Sequence, residues 1–202
     1  MLTRIRAFGP RRRLAVLLGG ALLVLPWPAL FSAQDVKVPV EVQFDLLTKI
    51  LVFDRNLKAR VGEEIVVGVV FQSLYRASLA AKDEFLSAAE KSRDLRIDGL
   101  AIRCIAIDLK NDLPLEDVLA EDKIDVLYVA PLRAYDIRTI AAASRARRIL
   151  SLTGVPEYVR NDLAVGIDAI GGKPRILINL AASKAEGCDF SSKLLNLATV
   201  IQ

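Results

Sequence analysis

The chain has 202 residues, 28 Lys+Arg against 24 Asp+Glu, no histidine, two cysteines and 53% hydrophobic residues. Five of the basic residues (Arg4, Arg6, Arg11, Arg12 and Arg13) lie in an acid-free stretch ending at Ala33, so the other 23 face 24 acids and the basic pI near 9.2 belongs to the leader. The remainder has no positive excess to match a nucleic-acid backbone, and without imidazole the Ser-His-Asp and Cys-His mechanisms and most zinc sites are excluded.

Residues 1–33 divide like a secretory signal: an arginine-rich start, an apolar run from Leu14 to Leu25, then Pro26 and Pro28 before the small residues Ser32 and Ala33. Cleavage after Ala33 is expected, leaving a soluble periplasmic protein that begins at Gln34. An uncleaved anchor is the rival reading, although the run is short for a span, which takes ~20 apolar residues. Arg12-Arg13 resembles a twin-arginine signal, but the flanking residues favour the general secretion route. No cysteine lies near the cleavage region, which argues against a lipid anchor.

Residues 34–202 read as one domain. Pro39 suits the first turn of a helix, and Val42, Leu46, Ile50 and Phe53 recur at helical spacing to give it a buried face. Asp54–Asn56 closes it. Ile65–Phe71 (IVVGVVF) is a β-branched run, as in a strand covered on both faces. A helix from Ser73 follows, rich in alanine and oppositely charged i,i+4 pairs. Leu100–Asp108 reads as a second strand, Pro114–Glu121 as a short helix and Ile124–Ala130 as a third, buried strand. Asp136–Arg145 reads as a helix and Arg148–Leu152 as a fourth strand. Alternation of this kind predicts a parallel, doubly wound sheet.

The end of the chain changes character. Leu163–Ile170 and Arg175–Leu180 flank Gly171-Gly172-Lys173-Pro174, which predicts an antiparallel hairpin, and Pro174 at a strand start suits a sheet edge. Ser191–Ile201 is expected to form a last helix over the sheet. The predicted fold class is α/β: three layers, a mostly parallel sheet, a C-terminal antiparallel hairpin and a covering helix.

No constellation for chemistry emerges. The turn after the first strand is Gln72-Ser73-Leu74, with no glycine-rich phosphate loop, and neither S-x-x-K nor G-x-S-x-G occurs. The paired carboxylates Asp83/Glu84, Glu116/Asp117 and Glu121/Asp122 are adjacent in sequence, so on a helix they point apart. No catalytic residue, cofactor or metal is expected. Cys104 and Cys188 are either a disulfide in an oxidising compartment or two free thiols. Arg145-Ala146-Arg147-Arg148 is either helix C-terminal charge complementing the dipole or a docking patch. The candidate ligand or partner loops are those at the carboxyl ends of the parallel strands: Gln72 and Ser73 after the first, Arg133 after the third, Thr153 and Gly154 after the fourth.

An ordered set of segments completes the reading: Lys49–Asn56 (KILVFDRN), Asp125–Pro131 (DVLYVAP), Arg148–Tyr158 (RILSLTGVPEY), Gly172–Leu180 (GKPRILINL) and Ser191–Ala198 (SSKLLNLA). In this arrangement the chain resembles the YfiR-like family. The resemblance implies a periplasmic domain like one lobe of a solute-binding protein. It also implies a regulator that holds an inner-membrane diguanylate cyclase, or a sensor kinase, in check by touching its periplasmic segment. A homodimer is a further expectation. A small-molecule binding domain using the strand-end loops is the alternative, and nucleic acid is not an expected partner.

Overall fold

The computed structural model describes residues 36–109 and 115–201; the predicted leader, its cleavage point at Ala33, and Pro114 lie outside them. In chain order the elements are α1 (Val40–Val52), α2 (Leu57–Arg60), β1 (Glu64–Phe71), α3 (Arg76–Lys91), β2 (Arg96–Ile97), β3 (Leu100–Asp108), α4 (Leu115–Glu121) and β4 (Val126–Val129). There follow α5 (Ile137–Arg147), β5 (Leu150–Thr153), α6 (Pro156–Arg160), β6 (Val165–Ile170), β7 (Lys173–Asn179), α7 (Leu180–Ala185), α8 (Ser192–Leu197) and β8 (Thr199–Ile201). The strands form one sheet in the order β2-β3-β1-β4-β5-β6-β7-β8. Pairing is parallel from β3 through β6, antiparallel at the β2–β3 and β6–β7 steps, and parallel again between β7 and β8. This is the predicted α/β class.

The two faces of β1 show why the sheet is covered twice. Ile65, Val67, Val69 and Phe71 join a core under α1 and α3, while Val66 and Val70 join a second core under α4, α5 and α6. Gly68 falls on the second face because nothing larger fits: a Cβ there would stand 2.8 Å from Ile107 Cδ1 and 3.0 Å from Leu127 Cδ2. In the first core Phe85 stacks on Tyr128 at a centroid distance of 4.2 Å and meets Phe44 edge-on at 5.3 Å. Aromatic pairs in these arrangements contribute about 0.5–1.5 kcal/mol beyond their area.

Several boundaries differ from expectation for identifiable reasons. The buried arc of α1 centres on Phe44, Leu47 and Leu51 with Gln43, whereas Val42, Leu46 and Phe53 flank it half-buried. A polar residue at the centre of the arc hid its true axis. The last helix stops at Leu197, and the β-branched Thr199-Val200-Ile201 becomes a strand along β7. The hairpin turn is two residues long, Gly171 and Gly172 at φ 58° and 75°, the left-handed pair such a turn requires. Because β8 pairs only with Leu177–Asn179, the outer side of β7 is open at Pro174, which has no N–H to offer. The short elements α2, β2, α6 and α7 have too few residues to show a period.

Candidate functional site

The chain passes from β1 to β3 on one side and then returns across β1 to β4 on the other, so the sheet reverses direction between β1 and β4. In open α/β sheets the crevice outside the carboxyl ends at such a reversal is where ligands lodge. Here that crevice lies between the turns after β1 and after β4.

Two turns are clipped together across it. The Gln72 side chain donates from Nε2 to the Arg133 carbonyl at 3.1 Å and accepts from the Arg133 N–H through Oε1 at 2.8 Å. The backbone N–H of Gln72 donates to Ser78 Oγ, and that of Ser73 to the Asp108 carboxylate at 3.1 Å. Asp108 ends β3, so three strand ends are tied into one rim. On the far side, the Leu132 N–H donates to the Tyr158 hydroxyl at 2.7 Å, which in turn donates to the Leu132 carbonyl. The Arg133 guanidinium lies over the Tyr75 ring, 4.9 Å from its centroid, a contact favoured by the ring quadrupole. A cavity of about 280 Å³ opens among the Gln72–Tyr75 turn, Leu109 and Arg133-Ala134. Ala134 takes the left-handed φ of 50° to turn the chain at its lip. Leu74, 82% exposed, stands at its mouth. Arg133 alone among the residues lining it is charged.

The strand-end loops therefore divide. Gln72, Ser73 and Arg133 come together. Thr153 is fully buried, donating from Oγ1 to the Val129 carbonyl and accepting from the Val155 N–H. Gly154 is packed under the Gln43 amide, where a Cβ would be well inside van der Waals contact. Gly154 lies below α1, Thr153 fixes the turn through Val129 and Val155, and neither lines the cavity. Tyr75, Asp108 and Tyr158 escaped the sequence reading. Asp108 had a signal, since it closes the second predicted strand and belongs to the same sheet edge as Gln72.

Both cysteines are free thiols. Cys104 lies in mid-β3 opposite Val67 and Cys188 beyond α7; burial pushes the Cys104 thiol up to about 12 and raises Cys188 as well. In the basic cluster, Arg145 and Arg147 close α5 and Arg148 caps it in the left-handed region, while Arg145 is paired with Asp162 at 3.6 Å. No group of three or more potential ligands for a metal occurs among the described residues, and none of their helices is long and apolar enough to cross a membrane.

Fold and crevice together define an α/β lobe that resembles, in fold alone, domains of solute-binding proteins. A conserved domain protein from Vibrio cholerae superposes with a TM-score of 0.55 at 15% identity, over 81% of this chain and 60% of its own. The ABC domain in complex with L-Trp from Streptococcus pneumoniae gives 0.54 at 14%, over 81% and 62%. A ligand-free, open substrate-binding protein with adhesive properties from Clostridium difficile gives 0.50 at 17%, over 73% and 57%. The chain thus spans about six-tenths of the length of these three structures. None of the curated proteins matches its sequence significantly. Residues 72–199 match the YfiR/HmsC-like family model, and the chain belongs to that family.

Proposed function

We propose that this chain is a non-catalytic periplasmic regulator that modulates an inner-membrane signalling protein, a diguanylate cyclase or a sensor kinase, through protein–protein contact. Membership of the YfiR/HmsC-like family is the observation that carries this reading. The contact surface is the rim at Gln72, Ser73 and Arg133, with the neighbouring turn at Thr153 and Gly154 lying outside it. The mutual clip between Gln72 and Arg133 supports that assignment, because it holds two loops in one geometry before a partner arrives and so lowers the ordering cost of binding. By preferring one state of the sensor, the domain shifts its equilibrium; a hundredfold preference is worth about 2.7 kcal/mol.

Deleting the gene is expected to change the output of one membrane sensor, read as cyclic di-GMP or as kinase phosphorylation. Restoring the full chain returns it, and restoring Arg133→Glu with Leu74→Asp does not. Unchanged output from every membrane sensor after deletion would overturn the proposal.

The cavity favours a second reading, a small-molecule binding domain. Its volume of about 280 Å³ lies just below the range typical of ligand pockets, ~300–1,000 Å³, and pairing of two copies would enclose a ligand further. A metabolite released on denaturing freshly purified protein, detected by mass spectrometry, supports this reading; a clean spectrum counts against it.

A further inference from the structure

The two edges of the sheet are finished differently. At one end β8 pairs with residues 177–179 of β7, and the stretch left bare, residues 173–176, carries Pro174 between the exposed Lys173 and Arg175. Proline and exposed cations are devices by which natural sheets keep an edge from pairing. At the other end β2 covers only Leu100 and Ala101 of β3. Beyond them residues 102–107 run on as strand, with β1 on one side and, among the described residues, no strand on the other. This stretch has neither proline nor glycine. Its one charged side chain, Arg103, is paired with Glu64 of β1 at 2.6 Å. The β3 edge therefore lacks the protection that the β7 edge has.

The backbone groups it offers follow from its pairing with β1. The Leu109 N–H donates to the Phe71 carbonyl, so the odd-numbered residues of β3 direct their N–H and C=O groups at β1. The even-numbered ones direct theirs away from it. Ile102, Cys104 and Ala106 thus present their backbone donors and acceptors outward. Side chains alternate between the faces as well. Ile102 and Cys104 pack on the core under α1 and α3, and Ile105 and Ile107 belong to the core on the other face. Arg103 and Ala106 are exposed.

We propose that the outer edge of β3 joins two copies of this chain, antiparallel about a two-fold axis at Cys104, so that the sheet continues from one copy into the other. An axis normal to the sheet keeps every residue on its own face, so residues that meet are both even-numbered or both odd-numbered. Centred on Cys104, Ile102 of each copy meets Ala106 of the other, and Cys104 meets its own counterpart. Each is an outward-facing pair that exchanges both of its N–H···O bonds. Between them Ile105 of one copy lies opposite Arg103 of the other, whose aliphatic stem covers it while the charged head stays with Glu64.

The neighbouring registers are poorer. Centring on Arg103 sets two guanidinium groups against each other. Centring on Ile105 opposes apolar Ile102 to Asp108, whose carboxylate holds the Ser73 N–H. The favoured arrangement uses one surface patch twice, as a two-fold dimer requires. It turns the two Gln72–Arg133 rims toward opposite ends of the joined sheet, which leaves each open to its own partner and encloses no ligand between them.

The test is sedimentation of the exported protein over a wide range of concentration. Wild type should form a dimer. Ala106→Pro deletes an outward N–H and no bond to β1, a change that edge strands tolerate, and should raise the dissociation constant at least about tenfold. A wild type that is monomeric at every concentration, or an Ala106→Pro protein that pairs as wild type does, overturns the proposal. If Ala106→Pro does not fold, amide hydrogen exchange in wild type decides. The amides of Ile102, Cys104 and Ala106 should be protected in the dimer and unprotected in the monomer, while those of Arg103 and Ile105, bonded to β1, are protected in both. Fast exchange at the first three in the dimer, or protection of them in the monomer, overturns it.

Discussion

Tyr128 on β4 donates its phenolic hydrogen to Gln43 Oε1 at 2.8 Å, and both side chains are completely buried. The other end of the same amide donates to the Val38 carbonyl at 2.7 Å, so α1 is fixed to the sheet by a polar pair inside an apolar core. Tyr128→Phe leaves Gln43 Oε1 without its donor. A loss of about 1–2 kcal/mol is expected, seen as a lower urea midpoint at unchanged slope.

The Asp54–Arg60 pair calls for a larger effect. The Asp54 side chain is fully buried and that of Arg60 is 8% exposed. Asp54 also accepts from the Asn56 and Asp189 N–H groups. Asp54→Ala strands a buried guanidinium and two backbone donors, so a loss of about 3–5 kcal/mol is expected. Arg60→Met added to Asp54→Ala should recover part of it, measured as a non-additive double-mutant cycle in denaturant.

At the crevice, Gln72→Ala removes both bonds of the clip at once. Global stability should fall by only about 1 kcal/mol, because Gln72 lies at the surface of the fold. Exchange at the Arg133 amide should rise sharply while exchange in mid-β4 stays unchanged. Equal acceleration at both places would mean that the clip supports the whole sheet rather than the rim.

The thiols offer a chemical check. Alkylation proceeds through the thiolate, and burial holds both thiols far above their usual range. Iodoacetamide at pH 8 should leave the folded protein unmodified, and after denaturation without reductant it should add two groups. No addition under those conditions would reveal a bridge between the two, absent from this structure.

The long elements were legible because each carries its own period: the apolar run at Ile65–Phe71 reads as a strand buried on both faces, and β3 begins at Leu100 and ends at Asp108, as its residues predict. The hairpin was legible through Gly171-Gly172. The end of the chain was not, since Thr199-Val200-Ile201 continues a helical spacing of leucines, and only the open edge of β7 converts it to strand. In the site, the strand-end rule finds Gln72, Ser73 and Arg133, but no local pattern says that a glutamine side chain will pair with the backbone of a turn 61 residues away. Gly154 obeys the same rule yet lies against α1, because Gln43 of that helix occupies the space above it, and Thr153 spends its hydroxyl on the Val129 carbonyl and the Val155 N–H.

The placement of β1 also sets an order in time. Its two neighbours, β3 and β4, both come later in the chain. A chain delivered amino end first therefore presents its most apolar strand with two bare edges, each a template for mispairing, until β4 has followed. Completion of the sheet's centre waits on delivery of its middle, and anything that accompanies the unfolded chain has Ile65–Phe71 as the segment most in need of cover.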